Sequence, residues 1–274
     1  KQHFKEKRVY VVGDVNQMTY KAAMDTITDD IYQGALAIIV DVAVSNLVSD
    51  DRYKLAKELI VIDHHKNDTD LNPTLFYQKT HYTSAAQIIT SLFKTWQLSL
   101  SSDAATYLYG GMVTDTGRFL YVNSQTARDT FDAASYATSF NPDIQGLYDF
   151  LYLEPLARKQ AKNLFSNFEL TKNYVAYRKN TQSIIDQSGL DIQSVSRGMV
   201  NLMSGIKEVM IWVSFTEDSE NSKILAEIRA RGIEVVDIAK KYGGGGHAQA
   251  CGAALKDWQE ADLMLNDLDE RAIK

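Results

Sequence analysis

Two apolar stretches that each end in an acid decide the predicted fold: residues 36–41 (LAIIVD) and residues 59–65 (LIVIDHH). Short apolar runs that alternate with longer helical patterns indicate a parallel sheet with crossover helices. A run at residues 8–13 (RVYVVG) is interpreted as a further strand of this sheet. The sequence therefore predicts an α/β domain at the start of the chain.

The acids at the ends of these runs predict a binding site. Asp41 follows the first run directly, and Asp63, His64 and His65 follow the second. In open α/β sheets, ligands bind at the carboxyl ends of the strands. Asp115 lies further along the chain, where a helix rich in small residues is expected to stop. If these points converge, their carboxylates and imidazoles suit a divalent first-row ion such as manganese.

The Asp-His-His tripeptide predicts its own geometry. Alternate side chains of an extended segment face opposite ways, so His64 is expected to point away from Asp63 and His65. One histidine then binds metal, the other reaches substrate, and Asp63 orients a neighbour. An isolated Asp-His-His is more often a polar turn, but its position after an apolar strand, matched by Asp41 on its own strand, favours the site.

A run of glycines forms the second signal: Gly243, Gly244, Gly245 and Gly246 precede His247. Four consecutive glycines carry a conformational cost that a simple turn does not require. Close approach of a ligand to the main-chain N–H groups would explain them, with His247 as a donor to the same phosphate or carboxylate. A flexible linker is the alternative, and the small residues that follow favour tight packing instead.

Two arginines are expected to point at the glycine run. Arg197 is interpreted as opening a helix and Arg229 as ending a strand, and a guanidinium can bind phosphate bidentately. Arg231 is assigned to the solvated surface. Cys251, among alanines and glycine, is interpreted as a small buried hydrophobic residue rather than a nucleophile.

The chain length and patterning predict two domains. A chain of 274 residues fits two medium domains at about 100–200 residues each. We place the first domain at residues 1–145, a helical connector that Pro155 interrupts at residues 146–170, and a smaller α/β domain at residues 171–274.

The composition excludes several classes of protein. With 29 Lys and Arg against 35 Asp and Glu, the net charge is −6, which argues against a broad basic surface for long duplex nucleic acid. A single cysteine cannot form an internal disulfide. No stretch reaches about 18 apolar residues, and no signal peptide is visible. We expect a cytoplasmic protein with no membrane partner.

Taken together, these motifs in this order resemble the DHH phosphoesterases that carry a DHH-associated C-terminal domain. The resemblance covers almost the whole chain. It is strongest to the bacterial bifunctional oligoribonucleases and pAp phosphatases, which act on very short RNA (nanoRNA) and on 3′-phosphoadenosine 5′-phosphate (pAp). It implies a hydrolase with two Mn²⁺ ions, or Mg²⁺ or Co²⁺ in their place, an active site in a cleft between two domains, and a homodimer as an option.

The resemblance also implies roles for individual residues. Asp41, His64 and Asp115 match metal ligands of the family. Asp63 and His65 match catalytic residues, with His65 contacting the substrate phosphate. Substrate-binding roles fall on Arg118, Arg197, Arg229, Gly243, Gly244, Gly245, Gly246 and His247.

One family motif, His-x-x-x-Asp-x-Asp, has no match in this sequence. His3 is the histidine that precedes Asp41, and the positions four and six residues after it are Lys7 and Val9. The chain starts at Lys1 rather than Met, which favours removal of an opening segment over loss of half the metal site.

Three alternative functions stay open. Relatives hydrolyse linear or cyclic di-adenylate. A chain without the first motif is also compatible with an inactive, nucleotide-binding fragment. A family II inorganic pyrophosphatase shares the first domain, but the glycine run with His247 argues against it.

Overall fold

The computed structural model describes residues 3–15, 19–21 and 23–273. The chain forms two compact units, Lys1–Leu153 and Glu154–Lys274. The boundary between the units falls inside the segment predicted as a connector, residues 146–170. Within the described residues, no helix combines the length and the apolar character needed to cross a lipid bilayer.

The first unit is built on a parallel sheet of three strands in the order β1-β2-β3. The strands are β1 (Leu36–Val40), β2 (Glu58–Asp63) and β3 (Leu75–Gln78). Its helices are α1 (Asp29–Tyr32), α2 (Ala85–Thr95), α3 (Ser102–Asp115), α4 (Ala127–Thr138) and α5 (Ile144–Tyr152). Short 3₁₀ turns at Ser45–Leu47 and Asp51–Leu55 lie between β1 and β2.

The two apolar runs form β1 and β2, as the sequence predicted, and their faces differ. Leu59 and Val61 of β2 are buried in a small core. On β1, Leu36, Ile38 and Val40 are exposed by 50%, 55% and 40%. The core of this sheet therefore lies on the face opposite these three residues.

The strand predicted at residues 8–13 does not form, so this prediction was wrong. Val11 exchanges two hydrogen bonds with Asp25: the Val11 amide donates to a carboxylate oxygen, and the Asp25 amide donates to the Val11 carbonyl. A strand requires a row of backbone partners, and a short apolar run does not supply one by itself. Conversely, β3 was not predicted, because it is short and is set by pairing with β2.

The helices of the first unit begin at side-chain caps. Ser84 accepts a hydrogen bond from the Gln87 amide at the start of α2. Ser101 caps α3 by accepting a hydrogen bond from the Ala104 amide. The last residue of α3 is an acid, which places a carboxylate at a helix end beside the sheet.

The second unit is built on a mixed sheet in the order β4-β5-β6-β7-β9-β8. β5 and β6 run parallel, and the other neighbours are antiparallel. The strands are β4 (Glu169–Leu170), β5 (Ala176–Asn180), β6 (Ile211–Asp218), β7 (Lys223–Ala230), β8 (Gly245–His247) and β9 (Ala250–Leu255). The helices are α6 (Leu156–Asn163), α7 (Gln182–Ser188), α8 (Ile192–Met199), α9 (Val236–Lys241) and α10 (Trp258–Arg271), with a 3₁₀ turn at Val200–Met203.

The core of the second unit lies on one face of this sheet. Val213, Phe215 and Ile228 are fully buried there, and Met264 and Leu268 of α10 pack in the same cluster. The opposite face of β7 is partly buried, and Arg197 of α8 contacts Glu227 there.

Two local predictions in the second unit have opposite outcomes. Pro155 separates α5 from α6, as predicted, and stands at the N-cap of α6. Arg197 was expected to open a helix but lies in the last turn of α8, so that prediction was wrong. The helix begins earlier because the Asp191 carboxylate accepts a hydrogen bond from the Ser194 amide.

Candidate active site

An acid and histidine cluster forms at the carboxyl edge of the first sheet. One ligand atom from each of Asp41, Asp63, His64 and His65 lies within 4.8 Å of the others. Asp115 joins them from the end of α3, with its Oδ2 4.0 Å from His64 Nε2. β1 and β2 are parallel neighbours, so the residues that follow them leave the sheet at one edge. The predicted convergence is therefore present.

Asp41 adopts an unusual backbone conformation. Its φ is 68°, in the left-handed region that few residues other than glycine occupy. Its amide donates to the Ile62 carbonyl at 2.9 Å, which fixes the turn against β2. The side chain reaches His64, with Oδ1 3.4 Å from Nε2. Backbone strain of this kind clusters at functional sites, so it supports Asp41 as a functional residue.

Asp63 is fully buried, and its two carboxylate oxygens differ. Oδ1 accepts from the His64 amide at 2.6 Å and from the His65 amide at 3.1 Å, and lies 2.7 Å from His65 Nδ1. Oδ2 has no hydrogen-bond partner within the described part of the chain. A buried polar atom without a partner is costly, and a bound cation beside it would remove that cost.

The two histidine rings lie together, contrary to the prediction that they point apart. Their centroids are 4.3 Å apart, and the nearest ring nitrogens of His64 and His65 lie 3.4 Å and 4.0 Å from Asp41 Oδ1. The reason is that β2 ends at Asp63, so the strand alternation does not continue into the tripeptide. Tyr82 helps to orient His64, because its carbonyl lies 3.3 Å from Nδ1.

The electrostatics of the cluster favour a bound cation. Burial, and after it the nearby charge of Asp41, raise the pKa of Asp115 to about 6. Burial also raises the pKa of Asp41. Both carboxylates therefore hold their negative charge at a cost, which a divalent ion would offset. Carboxylate oxygens with imidazole nitrogen suit such an ion, so this donor set fits a metal.

Gln87 supports the cluster and was missed by sequence reasoning. It is 1% exposed, and its Oε1 accepts from the Thr83 amide and the Thr83 hydroxyl, both at 2.8 Å. Thr130 adds a third donor at 3.3 Å. These bonds hold the chain beside Tyr82, whose carbonyl faces His64. The sequence offered one signal for Gln87: it is a polar residue beside Ile88, at a position on the helix where the spacing of apolar residues predicts burial.

Arg118 follows Asp115 in the turn after α3. Its guanidinium carbon lies 4.7 Å from the centroid of the Tyr152 ring, a cation–π contact, and the residue is exposed. The structure thus places this predicted substrate-binding residue on the same turn as a member of the cluster.

In the second unit, the two predicted arginines share one carboxylate. Arg229 NH1 lies 3.2 Å from Glu227 Oε2, and Arg197 Nε lies 3.4 Å from Glu227 Oε1. Glu227 was not singled out from the sequence. Its spacing of two from Arg229 on a strand was the available signal, because such residues share a face.

The glycine run is partly a strand, not the loop that was predicted, and packing explains two of its members. A Cβ at Gly244 would lie 2.0 Å from the Gly252 carbonyl oxygen, and one at Gly246 would lie 2.7 Å from the Ala250 carbonyl oxygen. Gly243 has a φ of 76°. A Cβ at Gly245 would meet no heavy atom within 4 Å, so neither packing nor backbone conformation requires glycine there.

The strand register places the predicted phosphate-binding residues of the second unit on one face. Arg229 pairs with Ala250, and Ala250 pairs with His247. Directly paired residues share a face of a sheet, so Arg229 and His247 flank the small Ala250. The row of Glu227, Gly252 and Gly245 lies on the same face, two residues along each strand. This face can therefore receive an anion over small residues.

Two residues were predicted to stay outside the chemistry, and their surroundings agree. Cys251 is 3% exposed, and burial raises the pKa of its thiol to about 11, so it is not an activated nucleophile. Arg231 donates to the Lys207 carbonyl at 2.8 Å, away from Glu227.

Comparison with known families assigns both halves of the chain. Residues 3–112 match the DHH family N-terminal domain, and residues 184–274 match the DHHA1 domain. The chain belongs to the DHH family, in the group whose members combine these two domains.

Individual relatives refine this assignment. The chain is 30% identical over 271 residues to the bifunctional oligoribonuclease and PAP phosphatase NrnA of Bacillus subtilis, covering 97% of this chain and 85% of that protein. It is 35% identical over 269 residues to the probable enzyme of the same name from Streptococcus mutans, with the same coverage of 97% and 85%. The cyclic-di-AMP phosphodiesterase PdeA of Listeria monocytogenes is 28% identical, and the match spans 36% of that protein.

A solved structure supports the fold. The crystal structure of an exopolyphosphatase-related protein from Bacteroides fragilis superposes with a TM-score of 0.75 at 23% identity, over 89% of this chain and 73% of that one. This likeness confirms the α/β architecture.

Proposed function

We propose that this chain is a metal-dependent phosphoesterase that hydrolyses short oligoribonucleotides and 3′-phosphoadenosine 5′-phosphate. The observation that carries the proposal is the convergence of Asp41, Asp63, His64 and Asp115, with one buried Asp63 oxygen left without a partner. Relatives that share at least 30% of their residues with most of this chain are named for these two activities.

The proposed metal ligands are Asp41, His64 and Asp115, and the free Oδ2 of Asp63 offers a further donor. Mn²⁺ suits these oxygen and nitrogen donors, and Mg²⁺ or Co²⁺ are its competitors. When bound, such ions lower the pKa of a coordinated water and offset charge on the reacting phosphate. The proposal includes two ions.

His65 and Arg118 are proposed as contacts to the reacting phosphate. The Asp63 carboxylate holds the His65 ring at 2.7 Å, which fixes the direction of the imidazole. Arg118 stacks on Tyr152, so its guanidinium is already ordered and can bind phosphate bidentately.

The second unit is proposed to hold the remaining phosphates of the substrate. Arg197, Arg229 and His247 supply donors on one face of the sheet, and Gly245 lets a ligand approach the backbone. Since the chain has a net charge of −6, such local donors favour a substrate with few phosphates over long duplex nucleic acid.

The test is hydrolysis by the full chain with manganese and with a chelator. The diribonucleotide pApA and pAp should both be cleaved with Mn²⁺ and remain intact with the chelator, whereas a long duplex RNA should remain intact throughout. Cyclic di-AMP, assayed at the same concentration, measures the alternative substrate class. Cleavage of cyclic di-AMP without cleavage of pApA or pAp would replace the proposed substrates, and no cleavage of any of them would contradict the activity itself.

A further inference from the structure

The turn that follows Asp115 has a strained backbone. Arg118 and Phe119 have φ values of 61° and 65°, so two successive residues with side chains occupy the left-handed region. Local bonds hold the turn, since the Phe119 amide donates to the Thr116 hydroxyl at 2.9 Å and the Tyr121 amide to the Thr116 carbonyl at 3.0 Å. This arrangement is overdetermined, as strained segments at functional sites are.

The side chains of this turn point in two directions, toward the interior of the unit and toward solvent. Phe119 packs inward, with its ring centroid 6.2 Å from that of Tyr109 and 5.4 Å from that of Phe131. Leu120 and Tyr121 face solvent and are 77% and 73% exposed. Solvent exposure of a large aromatic ring on a rigid turn provides a free stacking surface.

The ring of Tyr121 is held on the turn that follows Asp115. A Cβ at Gly117 would lie 2.6 Å from Tyr121 Cε2, so the ring rests on the backbone of Gly117, two residues after Asp115. Gly117 itself has a φ of 55°, a second reason for glycine at this position. An exposed aromatic ring, an ordered Arg118 and a candidate metal ligand therefore share one turn.

We propose that Tyr121 stacks on a nucleobase of the bound substrate. The inference rests on the proposed function and deepens it, because it names the part of the nucleotide that this turn recognises. A phosphate at Arg118 and a base on Tyr121 would be joined by one ribose of the same nucleotide. Every base has a π-face, so such a contact recognises nucleotides without selecting a sequence.

Calorimetry with AMP and with ribose 5-phosphate tests the stacking contact, since the two probes differ by the base. The wild type should bind AMP more tightly than ribose 5-phosphate. Tyr121→Ala should weaken AMP binding by about 5-fold to 150-fold and leave ribose 5-phosphate unchanged. Tyr121→Phe should keep the wild-type affinity for AMP, because it keeps the ring. Leu120→Ala, a change at the adjacent exposed residue, is the matched control and should bind both probes as the wild type does.

Several results would overturn the proposal. One is a wild type that binds the two probes equally. A second is Tyr121→Ala with unchanged AMP affinity, and a third is the same variant with equal losses for both probes, which would indicate a role in shaping the turn.

Hydrolysis of pApA separates the two proposals. Tyr121→Ala should raise KM and leave kcat near that of the wild type. If the wild type binds AMP through Tyr121 but cleaves neither pApA nor pAp, the proposed function fails and the stacking contact stands. If the wild type cleaves pApA and Tyr121→Ala has an unchanged KM, the stacking contact fails and the proposed function stands.

Discussion

The acid and histidine cluster of the first unit and the glycine run of the second unit, residues 243–246, differ in the relation between backbone conformation and residue type. In the cluster, a residue with a side chain, Asp41, occupies a conformation that would suit glycine. In the glycine run, Gly244 and Gly246 are glycines because β9 leaves no room for a Cβ. Strain in the first case positions a functional group, whereas the absence of side chains in the second is mostly a requirement of packing.

This comparison shows that each residue of an unusual pattern needs its own explanation before the whole pattern is assigned to a function. Of the four glycines, Gly243 serves a left-handed turn, and Gly244 and Gly246 serve packing. Gly245 has free space around it and no positive φ, so neither reason applies to it. At Asp41 the side chain is kept despite the backbone conformation, which makes a functional reason more direct.

The largest effect is expected from a substitution at Asp41, which removes one member of the cluster. Asp41→Asn should lower kcat for pApA by at least about 100-fold, because a neutral amide replaces a charged metal donor. Asparagine tolerates the left-handed region, so the variant should keep the turn. Asp68→Asn, a change at an exposed acid in the segment between β2 and β3, is the matched control. Activity of Asp41→Asn equal to that of the control would remove Asp41 from the site.

Substitutions in the glycine run should separate an effect on folding from an effect on binding. Gly244→Ala should lower the free energy of unfolding by about 1–3 kcal/mol, because the new Cβ would overlap the Gly252 carbonyl. Gly245→Ala should change that free energy by less than about 0.5 kcal/mol and should raise KM for pApA instead. Chemical denaturation and steady-state kinetics measure the two quantities. Equal stability losses in both variants, or an unchanged KM for Gly245→Ala, would contradict the division.

The cluster should also show a pH dependence in its affinity for metal. The pKa of Asp115 is raised from 3.8 to about 6 in the metal-free protein. Manganese affinity should therefore fall below pH 6, by at most about tenfold per pH unit for this group, because a proton must leave before the metal binds. Titrations of manganese against pH measure this decline. A matching titration of Asp115→Asn should show a shallower decline, and an identical pH profile would contradict the assignment.

Without metal, Asp115 should make the protein less stable as pH rises. This is opposite to its effect on manganese affinity, which should increase as pH rises. Its folded pKa lies above its unfolded value, so the folded state retains the proton that the unfolded state loses between about pH 4 and 6. The contribution of Asp115 to the free energy of unfolding should therefore decrease as pH rises through that window. Denaturation of the chelated protein at both ends of the window, compared with Asp115→Asn, checks the sign.

The smallest expected effect concerns Arg197. Its side chain is 72% exposed and its contact with Glu227 is long, so Arg197→Ala should hardly change stability. Loss of one exposed phosphate contact should raise KM for pApA by up to about fivefold. Arg231→Ala is the control, since Arg231 binds the Lys207 carbonyl instead. A KM that rises equally in both variants would indicate a general charge effect.

Much of the first unit could be predicted because its signals are local. The apolar runs that became β1 and β2 end in acids, and the acids mark the edge at which the cluster forms. The false strand at residues 8–13 has the same local pattern, but pairing partners are a property of the whole sheet. Convergence of Asp115 on His64 also depends on the packing of α3, which the sequence shows only through the position of the helix end.

The finer parts of both sites depend on contacts that no spacing encodes. The rings of His64 and His65 lie together because β2 stops one residue before the histidines. Gln87 supports the cluster indirectly, through its bond to Thr83 in the loop before α2. Glu227 contacts arginines from two separate elements, Arg197 of α8 and Arg229 of β7. Such residues become visible only when the chain is folded.

The bond between Asp63 and His65 also selects a tautomer. Asp63 Oδ1, as an ionised carboxylate oxygen, can only accept, so the proton of a neutral His65 resides on Nδ1 and leaves Nε2 as a bare acceptor. A neutral ring therefore has no N–H at Nε2 to offer a phosphate oxygen. A hydrogen bond from Nε2 to a phosphate oxygen would therefore call for the doubly protonated ring, whereas the neutral ring presents an acceptor at that atom.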